Sequence, residues 1–200
     1  MSDILFFVTH PEVVADPKVP VSQWPLSDRG RRRMLAFAEA LRSVGVAAIW
    51  TSAERKARDG ADILGETLCI TPKVDSGLGE NDRASTGYIA PPEFWLVVEE
   101  FFTDPGVSVR GWETAINAQR RIVDAVTRIA ASAVEPGPTI IISHGGVGRL
   151  LTAHLQGVKI GLEDRPENPG GGCFLTVDRA RLAVRCRWRD IEAFNDSDQS

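Results

Sequence analysis

Two hundred residues make one domain of ordinary size, long enough to bury a sheet between two helix layers. With 43% hydrophobic and 25% charged residues, the chain is neither disordered nor fibrous in type. A formal charge of −4 argues against a general nucleic-acid binder, and no apolar run nears the roughly 18–20 residues of a membrane span.

The opening Met1-Ser2-Asp3-Ile4-Leu5-Phe6-Phe7-Val8 has no basic leader and no cleavage site, and residues 4–8 read as a strand buried on both faces. Residues 13–25 hold three prolines and should form a loop. Ser27 then caps a helix whose apolar stripe is Met34, Phe37, Ala38, Leu41 and Val44, ended by Gly45. The basic run Arg31-Arg32-Arg33 on this helix reads as a solvated face. A second strand is expected over 47–51 and a helix over 52–67, with Ala57, Ala61 and Leu64 inward.

Residues 71–92 are rich in Gly, Asp and Asn and lack periodicity, as functional loops do. Helices are expected over 92–102 and 113–133, the latter with Ile122, Val126, Ile129 and Ala133 inward. Pro136-Gly137-Pro138 stops the chain before a third buried strand, 139–142, and a short helix, 146–155. Gly170-Gly171-Gly172 reads as a turn, and 173–177 with 182–188 as a hairpin at one sheet edge. Alternating strands and helices imply a three-layer α/β/α sandwich with a mostly parallel sheet: one domain over 1–200, its core at about 3–188 and a tail at 191–200. In such sheets ligands bind beyond the carboxyl ends of the strands.

Cys69, Cys173 and Cys186 are odd in number and match no metal spacing; they read as reduced thiols of a cytoplasmic protein. Of three histidines, two end buried strands, in Val8-Thr9-His10 and Ile142-Ser143-His144. One histidine so placed is ordinarily structural, whereas two, each followed by Pro or Gly, point to a shared site. His154, beside Leu150, Leu151 and Leu155, is given no role.

Several motifs share one pattern. Thr9-His10-Pro11 is followed by Leu26-Ser27-Asp28-Arg29-Gly30, then by Ser52-Ala53-Glu54-Arg55-Lys56-Ala57 and Leu78-Gly79-Glu80. Gly111-Trp112-Glu113-Thr114 precedes a long helix, and Ser143-His144-Gly145-Gly146 ends the series. In order and spacing the chain resembles the histidine phosphatases (phosphoglycerate-mutase-like), most specifically in Ser-His-Gly-Gly. It departs from them where Arg-His-Gly becomes Thr9-His10-Pro11 and where the second pocket arginine aligns with Lys56, or with Arg55 if the register slides by one.

The resemblance implies a phosphohistidine on His10, with His144 donating to the phosphoryl oxygens and Glu80 as acid and base. Thr9, Lys56, Arg83 and Gly145 are then the substrate-binding candidates. Thr9 offers one hydroxyl where an arginine stands in the family, Lys56 keeps charge without the bidentate fork, and Gly145 and Gly146 let N–H groups approach an anion. Arg83 either refills the space an arginine would take or is solvated. Arg58 and Arg149 are weaker candidates with a surface role favoured. If Thr9 faces the pocket, Thr9→Arg should raise activity; if the pocket has closed around it with Arg83 inside, the new side chain clashes.

The first reading is therefore a phosphomonoesterase without metal or cofactor, acting on a small phosphorylated substrate. A mutase is less favoured, since the stretch from Glu80 to Glu113 is short for an elaborate lid. The second is a weakened member that binds a phosphorylated metabolite or a protein partner, with Tyr88-Ile89-Ala90-Pro91-Pro92 as a contact segment. A metallohydrolase comes third, because two histidines and one carboxylate make a poor metal site.

Overall fold

A computed structural model describes residues 4–132, 136–162, 170–195 and 198. Six strands, β1 (Ile4–Thr9), β2 (Ala48–Thr51), β3 (Lys73–Val74), β4 (Thr139–Ser143), β5 (Cys173–Asp178) and β6 (Ala183–Asp190), form one sheet in the order β3-β2-β4-β1-β5-β6. The first four in that order are parallel; β5 turns antiparallel to β1 and forms the expected edge hairpin with β6. Five helices cover the sheet: α1 (Asp28–Ala40), α2 (Arg55–Leu68), α3 (Glu93–Thr103), α4 (Ala115–Ala131) and α5 (Gly145–Leu155).

Alternation along β1 divides the core. Ile4, Phe6 and Val8 point into one apolar layer with Met34, Phe37, Ala61 and Leu64 of α1 and α2. Leu5 and Phe7 point into the other, with Phe101, Ile122, Val126 and Leu150 of α3, α4 and α5. All six residues of β1 are buried, so the run carries no polar alternation before Thr9. Side-chain caps start two helices: Ser27 Oγ, as expected, accepts the Gly30 N–H at 3.1 Å, and Thr114 Oγ1 accepts the Asn117 N–H at 3.2 Å, which begins α4 two residues later than the expected 113.

Three details differ from expectation. The two-residue β3 has no sequence signature, since both its side chains are exposed. The core runs past residue 188: Ile191 is buried, and Phe194 packs edge-on against Phe6, Phe37 and Phe174. The basic run on α1 is not uniformly solvated. Arg33 ion-pairs with Glu12 and Glu192 and donates to the carbonyls of Gly171 and Gly172. Ala133 lies outside the described residues. No helix among those described is long and apolar enough to cross a membrane.

Candidate active site

Because β1, β2 and β4 are parallel neighbours, the residues that come after them meet at one edge of the sheet. The His10 N–H continues the ladder to the Ser143 carbonyl at 3.1 Å, and the Ser52 N–H does the same to the Ile142 carbonyl at 3.1 Å. This brings His10, Ser52 and His144 together. The two imidazoles pack edge to face with centroids 5.1 Å apart.

His10 donates from Nδ1 to the Pro11 carbonyl at 2.9 Å. A carbonyl only accepts, so the proton sits on Nδ1 and Nε2 keeps its lone pair. Burial, and then the Lys56 charge, lower its pKa to about 4, so the ring is neutral. Behind it the chain is tightly packed: the Gly172 N–H donates to the His10 carbonyl at 3.1 Å, and a Cβ on Gly171 would lie 2.3 Å from that same oxygen. The glycine turn therefore backs the histidine.

This buried neutral ring has a consequence for stability. An unfolded histidine binds its proton near pH 6.5, while the folded one waits until about 4. Between those values the unfolded chain holds more protons, so stability falls as pH falls through the window. Melting temperature should decline over that range, and His10→Gln should flatten the decline. An unchanged slope in the variant would remove His10 from the account.

Glu80 lies across the start of α5. Its carboxylate accepts the N–H groups of Gly146 at 3.1 Å and Val147 at 3.0 Å, and a Cβ on Gly146 would stand 2.6 Å from Oε1. The helix N-terminus that the sequence reserves for phosphate thus holds a side chain of the same protein. A Cβ on Gly145 would meet nothing within 4 Å. The loop bearing Glu80 is anchored by Arg121 of α4, which donates to the carbonyls of Gly77, Gly79 and Glu80 at 2.9, 2.8 and 3.0 Å and pairs with Glu113.

The cations differ from one another. Thr9 is 2% exposed, and its hydroxyl accepts the Cys173 N–H at 3.0 Å and donates to the Cys173 carbonyl at 3.3 Å. It serves the β1–β5 seam, with its hydrogen already committed. Lys56 is buried, as its register with the following Ala57 implies, and Arg55 is exposed. The Lys56 ammonium donates to the Val21 carbonyl at 2.9 Å and pairs with Glu54. Arg83 lies 5.1 Å from the Phe94 ring centroid and 5.9 Å from that of Trp112, and its charge acts on both histidines. Arg58 is exposed, but Arg149 is buried against Phe102, so its expected surface place is not the one it has.

Two partners of His144 escaped the sequence reading. Ser52 Oγ lies 2.7 Å and Glu54 Oε1 3.4 Å from its Nε2, while its Nδ1 is buried without a hydrogen-bond partner. Burial alone would push the Glu54 carboxyl up, whereas the Lys56 ammonium and the Glu80 N–H hold it below the ordinary carboxylate range. The one available signal was a carboxylate inside Ser-x-x-x-Lys-Ala, two residues before the aligned cation. Among the described residues no group of three or more His, Cys, Asp or Glu converges as a metal site.

The family model for the histidine phosphatase superfamily (branch 1) matches residues 5–182. The chain belongs to this superfamily. It is an enzyme of the phosphatase class, and its six-stranded mixed sheet is the phosphoglycerate-mutase-like fold. Solved histidine phosphatase folds superpose along most of its length. YhfR of Bacillus stearothermophilus does so with a TM-score of 0.77 at 21% identity, covering 92% of this chain and 94% of that one. A mycobacterial glucosyl-3-phosphoglycerate phosphatase gives 0.72 at 22%, covering 94% and 97%. The same mycobacterial enzyme in complex with inorganic phosphate gives 0.72 at 24%, covering 98% and 99%. Comparison with curated protein sequences finds no match.

Proposed function

We propose that the chain is a phosphomonoesterase that acts without a metal ion, through a phosphohistidine on His10, on a small phosphorylated substrate. The observation that carries this reading is the His10 tautomer: Nδ1–H tied to Pro11 leaves Nε2 bare beside His144. Nε2 attacks phosphorus as the bond to the leaving oxygen breaks, and Glu80, which enters this step as the carboxylic acid, gives its proton to that oxygen and is left as the carboxylate. Glu80 then takes a proton from water, whose oxygen attacks the phosphohistidine and frees His10. That the mycobacterial relative has been solved in complex with inorganic phosphate and with VO3 supports a phosphoryl-sized ligand.

Turnover of p-nitrophenyl phosphate and of an alkyl phosphate tests the reading, and activity should survive exhaustive EDTA treatment. Loss with restoration by a divalent ion would overturn the metal-free route. Glu80→Gln should cost about 10²–10⁴ on the alkyl ester and much less on the aryl ester, whose leaving group needs less protonation. Equal losses on both would remove Glu80 from the acid role.

The reading as a weakened member that binds a phosphorylated metabolite has one observation in its favour. Lys56, aligned with a pocket arginine, is held by Glu54. Phosphate binding without hydrolysis of either ester is its expected signature.

A further inference from the structure

Glu54 stands where no family motif places a functional group, yet it touches three elements of the pocket. One carboxylate oxygen accepts the Glu80 N–H at 2.9 Å and lies 3.4 Å from His144 Nε2, and the other pairs with Lys56. Its own N–H donates to Ser52 Oγ at 3.3 Å, the atom 2.7 Å from the same Nε2. Held at so many points, the carboxylate cannot swing away from the ring. We propose that Glu54 is a positioning residue that fixes the proton on Nε2 of His144, so that a phosphoryl group arriving at Nδ1 draws a second proton onto that ring. This rests on the phosphatase reading above.

The one obligate acceptor, the Glu54 carboxylate, decides where the proton sits, and the Ser52 hydroxyl, able to donate or accept, follows it. A carboxylate oxygen and a hydroxyl oxygen both approach Nε2, and an ionised carboxylate repels a lone pair there but attracts an N–H. With the proton on Nε2, a neutral ring keeps a lone pair on Nδ1. That atom is buried and without a partner, on a ring packed against the nucleophile. A phosphate dianion also has only acceptors to offer, so it can bond Nδ1 only if that nitrogen gains a proton from solvent. No other bond is made or broken.

The surrounding charges point the same way. From β1, neutral His10 faces the ring; from the start of α2, Glu54 and Lys56 do; from the loop after Leu78, Arg83 acts on it; and Glu80 caps the helix that begins beside it. Two cations and two carboxylates cancel. An incoming dianion therefore meets no surplus of positive charge until His144 becomes imidazolium, which the neighbouring Glu54 then stabilises as an ion pair.

The test is ¹⁵N spectroscopy of the histidine rings, with inorganic phosphate as the probe, at a pH where it is the dianion. His144 is expected as the Nε2–H form without phosphate and with both nitrogens protonated at saturation, while His10 stays Nδ1–H. Calorimetry in two buffers of different ionisation enthalpy should show about one proton taken up per phosphate bound. Glu54→Gln should lose most of that uptake and Glu54→Asp should recover it. A bare Nε2 in the free protein, a neutral His144 under saturating phosphate, or undiminished uptake in Glu54→Gln would each overturn the proposal. Failure of phosphate to bind the unaltered protein at all would overturn the phosphatase reading along with it.

Discussion

His10→Ala is expected to lower turnover by roughly 10⁴-fold or more and to abolish any acid-labile phosphoryl label. The size comes from the covalent route: without the imidazole at the end of β1, the pocket loses its nucleophilic nitrogen. His144 is no substitute, because its Nε2 is enclosed by Ser52 and Glu54 and its Nδ1 takes up a proton in the reading given above when a phosphoryl group arrives. Unfolding is the trivial explanation to exclude. Among the described residues the His10 side chain hydrogen-bonds to the adjacent Pro11 carbonyl alone, so its removal leaves the sheet ladder intact, and the melting temperature near neutral pH should hardly move. Label that maps to a serine, or turnover that persists in the variant, would end the phosphohistidine mechanism.

Arg83→Ala is the second large effect. A preorganised charged donor aimed at developing charge is typically worth about 10²–10³ in rate, and Arg83 is the pocket cation without an ion-pairing carboxylate among the contacts described. Arg83→Lys should not restore the loss, because an ammonium does not stack as a plane on Phe94 and Trp112. The Arg83 charge also helps to hold the His10 pKa down, so the acid limb of kcat/KM should move to higher pH in Arg83→Ala. Thr9→Arg should give no compensating gain. It discards both hydrogen bonds to Cys173 and forces a long side chain into a site 2% exposed, so activity and melting temperature should fall together. If Arg83→Ala stays within twofold of the unaltered enzyme, the clamp lies elsewhere.

The strand ends and their histidines could be read directly because buried parallel strands announce themselves as unbroken apolar runs, and the residue after such a run must sit at the sheet edge. Glu80 could be reached by motif but not by position: spacing says nothing of which N–H groups a carboxylate will meet, here those of Gly146 and Val147. Thr9 shows the opposite limit. A hydroxyl beside a nucleophile looks like a pocket donor until the neighbouring strand is known, and β5 arrives from 164 residues away. Arg33 and Arg149 read as surface side chains because a helical wheel does not show the carbonyls and rings that later surround them. Glu54 was hidden by its place inside a motif, where only the flanking positions carry expectation.

One guanidinium, that of Arg121, gathers three carbonyls of the acid-bearing loop and is itself braced by Glu113. The reach of Arg121 ends at Glu80, and the next residues are tied to the segment that leads into α4: Asp82 exchanges hydrogen bonds with Glu113, Ser85 Oγ donates to the Arg110 carbonyl at 3.0 Å, and Thr86 Oγ1 accepts the Trp112 indole N–H at 2.9 Å. Beyond them Ala90, Pro91 and Pro92 are exposed. The segment that would vary most freely is therefore separated from the acid by two sets of ties. Drift in residues 90–92 can reshape the rim without displacing the carboxylate, and a lineage built on this scaffold can change its preferred ester while its proton chemistry stays in register.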